Sequence, residues 1–203
     1  MLNLILVVLA SVFIIFNTFR VIEFINAKDD IKITDKNLNR VIISIIASLF
    51  IGILYIKYNL SIVFIKCFIL MIYLTITGYI DHYTKSVYAF ISYAFLGIGL
   101  IIMGVNVYYG ADIFSYLIII SSILIICFNI AVLGLIGWGD VEVLVITALY
   151  IGSFVSLMNI FIAFSLAGVV AAYRLATKKI RIGDRGALCP YIAISTCIIL
   201  FIL

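Results

Sequence analysis

Charge is scarce in this chain. Asp, Glu, Lys and Arg together make up 11% of its 203 residues, against about 25% in soluble globular domains. Proline, histidine and tryptophan occur once each. With one proline and no Ser/Gly-rich stretch, nothing marks a linker or a separable soluble domain, and the length fits one domain. A lone histidine, His82, makes no metal site, and its place at the end of an apolar run reads as interfacial. The four cysteines, Cys67, Cys127, Cys189 and Cys197, stand singly with no C-x-x-C spacing. That argues against zinc binding and against a disulfide framework, and leaves them as small hydrophobes. There is no repeat of fixed period and no low-complexity tract beyond the hydrophobic bias itself. The N-terminus lacks a basic n-region and an A-x-A site, so its long apolar run is expected to be a retained span.

What the chain has is hydrophobicity. Apolar residues make up 67% of it, and the mean hydropathy is +1.39, which places it among polytopic membrane proteins. Apolar runs occupy roughly 2 to 25, 41 to 56, 60 to 80, 87 to 105 and 113 to 134, with a last one from 188 to 203. Crossing the hydrocarbon core takes about 20 residues as helix. The runs lack the alternation of a barrel, so helices are the expected way to satisfy the backbone in lipid. The stretch 141 to 173 would measure about 50 Å as one helix, too long for a single crossing, and is expected to turn near Gly152 and Ser153. The predicted fold is therefore an all-α membrane bundle of about eight hydrophobic spans, one or two of them short or re-entrant.

Charge supports that count. If 141 to 173 crosses twice, the segments 26 to 40 and 174 to 186, together with Lys85 and Arg20, lie on one side. Eleven of the 13 Lys and Arg then share that side, with Lys57 and Lys66 left on the other. By the positive-inside rule the basic side is the cytoplasm, with both termini outside. The net charge of +4 thus reads as an orientation signal, and no nucleic-acid partner is expected. Within 26 to 40, Thr34 and Asp35 are possible caps of a short amphipathic or irregular loop.

Against this background the acids stand out. Between Tyr58 and Tyr173 the only acidic side chains are Asp81, Asp112, Asp140 and Glu142. A carboxylate at bilayer depth costs about 2.5 to 3.5 kcal/mol, so one kept there needs a reason. Asp112 falls in the external link NVYYGAD and reads as a solvated residue. Asp81 and Asp140 end spans that run in the same direction and are expected at the same depth, near the cytoplasmic face. Two carboxyls at one depth can share a proton and so supply an acid and a base from one residue type. Gly137 and Gly139, flanking Asp140, would allow close helix approach or room for an extended substrate backbone. Each aspartate alone also suits a helix cap. Tyr79 and Trp138 read as membrane-interface aromatics that could also line a substrate groove, and Pro190 as the start or a kink of the last span.

The stretches GYIDHYTKSVY around Asp81 and IGWGDVEVL around Asp140 resemble the two aspartate motifs of type IV prepilin peptidases and the related archaeal preflagellin peptidases, membrane aspartyl proteases of the GxGD class. ALCPYIAIS (187 to 195) is similar to that family's late Gly-Pro-Phe-Leu-Ala element. The resemblance covers roughly residues 60 to 203, dividing a single membrane domain into extra N-terminal spans (1 to 58) and a peptidase-like core (59 to 203). Val87-Tyr88 stand where the family usually has Ile-Pro, and Glu142 where it often has Lys. The resemblance implies a short, peptidase-only member without the N-methylation region, needing no metal and no organic cofactor. Asp81 and Asp140 would be catalytic, Gly137 and Gly139 supporting, and Trp138, Glu142 and Pro190 near the substrate. The implied activity is cleavage of a short basic leader from a prepilin-like or preflagellin-like precursor at the cytoplasmic face of the plasma membrane. Glu142 could meet that leader, stand in solvent, or pair with Lys85. The residues by themselves leave two other readings open, an ion-coupled secondary transporter and a non-catalytic assembly component of a pilus or secretion system. An inverted repeat or acids near the midplane would favour the transporter, and neither is seen. The sequence does not give the oligomeric state.

Overall fold

The computed structural model describes residues 2–26, 33, 37–179 and 186–202. Among them are eight helices and no strand: α1 (Leu2–Asn26), α2 (Asn37–Tyr58), α3 (Ile62–Thr84), α4 (Ala89–Tyr108), α5 (Ile113–Val132), α6 (Trp138–Ile151), α7 (Val155–Ala176) and α8 (Cys189–Ile202). Each apolar run of the sequence is one helix, and the long stretch after Asp140 breaks at Gly152 to Phe154 as expected. Six helices are long and apolar enough to cross a membrane, whereas α6 and α8 have 14 residues each, about 21 Å. The protein is a polytopic helical membrane protein with two short helices. The expected caps Thr34 and Asp35 lie outside the described residues.

The break between α6 and α7 has a local cause. Gly152 closes α6 at φ +66° and donates its N–H to the Ala148 carbonyl at 2.8 Å. That left-handed conformation suits glycine, and a Cβ there would also lie 2.4 Å from the Tyr116 ring. Other helix ends are set by side chains. Ser61 caps α3 by accepting from Phe64 N–H at 3.2 Å. Asp112 caps α5, accepting from the Ser115 hydroxyl and the Phe114 and Ser115 N–H groups. These bonds, the Ser115 hydroxyl foremost, hold its carboxyl below the usual carboxylate range. Asp112 is thus a solvated residue that also starts a helix.

The centre of the bundle is α3, which packs against α1, α2, α6 and α8 and is the most enclosed of the long helices. The helices around it turn large apolar side chains outward, for example Phe13 on α1, Ile46 on α2, Ile101 on α4 and Ile125 on α5, as a lipid-facing surface requires. Polar bonds between helices fix the register. Tyr73 on α3 meets Ser92 on α4 at 3.2 Å, the Tyr150 hydroxyl on α6 donates to the Phe95 carbonyl on α4 at 2.9 Å, and Asn159 on α7 bonds both Ser195 and Thr196 on α8. Such bonds average about 0.6 kcal/mol in a bilayer, so they choose the partner face more than they hold the bundle together.

The first two helices are joined to α3 near its C-terminal end. Arg40, buried at the start of α2, forms an ion pair with Glu23 of α1 and donates Nε–H to the Tyr79 hydroxyl at 3.1 Å. The Tyr79 ring lies 4.3 Å from that of Phe19. Tyr79 is therefore 4% exposed, which corrects its reading as a membrane-interface aromatic: α1 and α2 cover the face on which it sits.

Replacing Gly152 by Ala is expected to destabilise the fold by about 2 kcal/mol or more, about 1 from left-handed backbone and about 1 from overpacking against Tyr116. Denaturant unfolding in detergent measures it, and a change within about 0.5 kcal/mol of wild type would remove the turn's geometric basis.

Candidate active site

Three helix ends meet at one end of the bundle: the last turns of α3 and the first turns of α6 and α8. Asp81 lies on α3 one turn before its end, where Lys85 closes the helix at φ +55° by donating its N–H to the Asp81 carbonyl. Its side chain is 4% exposed and points toward α8, so it does not cap α4, the next helix, which starts at Tyr88 without a side-chain cap. Oδ2 of Asp81 accepts the N–H of Cys189 at 2.9 Å. Cys189 is the first residue of α8, and its N–H belongs to the first turn, which has no intrahelical acceptor. Pro190 follows, at a position where its missing N–H costs nothing.

Asp140 is the third residue of α6. Because Gly137 has no side chain, only half of a capping box can form here: Asp140 Oδ2 accepts the Gly137 N–H at 3.1 Å. Its other oxygen, Oδ1, accepts from the Cys189 thiol at 3.4 Å. A carboxylate oxygen of Asp81, one of Asp140 and the sulfur of Cys189 all lie within 4.8 Å of one another. The structure thus brings the two aspartates together, Asp81 buried and Asp140 half-buried. Two helix N-termini face them, and the positive ends of both dipoles favour negative charge.

Close approach of the backbones makes this possible. A Cβ on Gly139 would sit 2.9 Å from the Cβ of Val87, and one on Gly78 would lie 3.4 Å from the Cα of Pro190. The link after α3 therefore rests on the first turn of α6, and α8 starts against α3 one turn before Asp81. Tyr88, next to Val87, accepts a hydrogen bond from Asn26 of α1 at 2.8 Å, so the N-terminal helices also reach the rim of the site.

The remaining expected residues surround the cluster without joining it. Trp138 is 57% exposed and stands edge-on to Phe128 with ring centroids 5.6 Å apart. Glu142 is half-buried. Among the described residues the one ion pair is Arg40–Glu23, and Lys85 donates to the His82 carbonyl, so the Glu142–Lys85 pair does not form. Pro190 lines an apolar groove of about 460 Å³ between α2, α3 and α8, with Gly78, Tyr79, His82 and Ile194 among its other walls. His82 is exposed at the mouth of that groove, stacked edge-on against Tyr83. Cys67 and Cys127 are buried and Cys197 half-buried, as small hydrophobes would be. Cys189 is the exception, because its thiol and N–H bridge the two aspartates. Its signal in the sequence was its place directly before Pro190 in the late element. Gly78 was equally legible as the small residue one turn before Asp81.

Gly139→Ala is expected to destabilise the protein by about 1 to 3 kcal/mol through its contact with Val87, and Val87→Gly should recover a large part of the loss. A double-mutant cycle by denaturant unfolding is expected to show a coupling of at least about 0.5 kcal/mol. Additive effects would mean that this contact does not set the approach of the two segments.

Comparison with curated proteins and with solved structures gives no match. Residues 68–172 match the type IV leader peptidase family. The matched stretch runs from the first third of α3 to near the end of α7 and contains both Asp81 and Asp140, the two acids whose side chains converge. It spans just over half of the 203 residues, and with both aspartates inside it the chain belongs to the type IV leader peptidase family, as a multi-pass membrane peptidase.

Proposed function

We propose that the protein is an aspartic endopeptidase that uses Asp81 and Asp140 to cut the short basic leader from a prepilin-like or preflagellin-like precursor. The observation that carries this reading is the approach of the two carboxylates within 4.8 Å, each with its own backbone donor. That separation is one that a single water, hydrogen-bonded to both, can span. Of two carboxyls so placed, the ionised one takes a proton from the water as it attacks the scissile carbonyl carbon. The neutral one donates its hydrogen bond to the carbonyl oxygen. The amide nitrogen then takes a proton as the C–N bond breaks. Gly137 and Gly139 leave the backbone beside Asp140 open to an extended peptide.

The distribution of Lys and Arg supports a site at the cytoplasmic face of the plasma membrane, on the side where a basic leader is held by its own charge. The groove between α2, α3 and α8 supports a seat for the precursor's apolar segment. It is lined by Gly78 and Pro190, the two residues whose contact sets α8 beside Asp81, and its walls are mainly apolar from there down to Met71 and Cys197. Glu142, which forms no ion pair among the described residues, suits a lysine or arginine of the leader. Trp138, exposed beside the Asp140 turn, would flank the same peptide. In this reading residues 59 to 203 are the peptidase core, and α2 supplies one wall of the groove.

Co-expression with precursor proteins, read as a size shift on a gel, tests the proposal. Asp81→Asn and Asp140→Asn keep size and polarity but cannot cycle a proton, and each is expected to abolish processing, a loss of at least about 10³-fold, with protein level unchanged. Full processing by both variants would exclude the aspartic mechanism.

A further inference from the structure

The mutual approach of Asp81, Asp140 and Cys189 has a chemistry of its own. The three side chains come from α3, α6 and α8, so tertiary packing gathers them, and their ligand atoms lie within 4.8 Å of one another. Among the described residues no other set of His, Cys, Asp or Glu gathers three ligand atoms in this way. In a tetrahedral zinc site, with metal–sulfur about 2.3 Å and metal–oxygen about 2.0 Å, neighbouring donors stand about 3.5 Å apart. The Cys189 sulfur and Asp140 Oδ1 are 3.4 Å apart already. The other two edges are each within 4.8 Å, so closing the set around a cation takes side-chain movements of about 1.5 Å or less.

From these donors we propose that Asp81, Asp140 and Cys189 form a binding site for one thiophilic divalent cation of the zinc and cadmium class, and that its occupancy blocks the peptidase. A sulfur donor beside two carboxylates selects zinc or cadmium over magnesium and calcium, which prefer all-oxygen sites. Binding displaces the thiol proton and the proton on the carboxyl pair into solvent, placing up to three negative charges around a dication in a largely buried position. Three protein ligands leave a fourth position for water. A cation held there occupies the space between the carboxylates that the shared proton and the attacking water require. This blocking half rests on the aspartic reading of the site; the binding half does not.

The test titrates the purified, chelator-washed full chain in detergent with cadmium chloride and follows the ultraviolet thiolate-to-cadmium charge-transfer band, with magnesium chloride as the control. One cadmium per chain is expected, with the band present in wild type and in Cys197→Ala. Cys189→Ala and the near-isosteric Cys189→Ser should both lose it, and Asp140→Asn should raise the apparent Kd at least tenfold. A band that survives in both Cys189 variants, is missing in wild type, or is indifferent to Asp140→Asn overturns the site. The blocking half is read by adding the same cadmium concentrations to precursor processing by wild type: processing is expected to fall in step with the band. Processing that persists at saturation overturns the blocking. If no precursor is cut at all, the blocking falls with the aspartic reading, while the cadmium band still decides the binding site on its own.

Discussion

The hydrogen bond from the Cys189 N–H to Asp81 Oδ2 ties together the parts of the fold that matter most. A carboxylate that is 4% exposed in an apolar bundle must find donors or cost several kcal/mol. Asp81 finds one at the start of another helix, 108 residues further along the chain. For the donor to be there, α8 must begin at that point, and Pro190 in its first turn suits this start. It must also begin close to α3, where a Cβ at Gly78 would already touch the Pro190 backbone at 3.4 Å, so only a small residue fits there. Once α8 is seated, its first residue reaches Asp140 as well, and the ends of three helices are fixed relative to one another.

Much of this arrangement could be read from the chain, because a membrane leaves few alternatives. Eight apolar runs, a turn at Gly152 and Ser153, and two aspartates at one end of the bundle follow from hydropathy, helix length and the placement of basic residues. Isolated acids in such a chain are conspicuous, which is why Asp81 and Asp140 could be paired before any geometry was known. Contacts between distant segments were not legible. Tyr79 looked like an interface aromatic because its cover, Phe19 and Arg40, comes from α1 and α2 and leaves no local pattern. Cys189 looked like a filler hydrophobe because a thiol in an apolar run has no periodic signature. Val87 marked only a departure from the family's usual motif, although it supplies the surface on which Gly139 rests.

The N-terminal helices illustrate the same limit. They lie outside the matched stretch of the family, and composition makes them two more spans. Yet Arg40, 2% exposed, sits between Glu23 and the Tyr79 hydroxyl, two residues from Asp81. Removing one partner from a buried charge leaves the other poorly solvated, so this arrangement constrains how α1 and α2 sit against the end of α3. With Asn26 holding the Tyr88 hydroxyl, these helices bound both the groove face and the link face of α3.

Helix length connects the short elements to the chemistry. At 14 residues each, α6 and α8 measure about 21 Å, less than the hydrocarbon core of about 30 Å. The ends of both that lie opposite the site, near Ile151 and Leu200, line one small cavity together with Tyr58 and Val63 at the ends of α2 and α3. The first-turn N–H groups of each helix have no intrahelical acceptor and need one from elsewhere. Asp140 accepts the one at Gly137 and Asp81 the one at Cys189. In this bundle, capping a short helix and bringing two carboxylates together are not competing explanations of the same residues: each acid satisfies a helix start, and the two starts bring the acids within reach of one another.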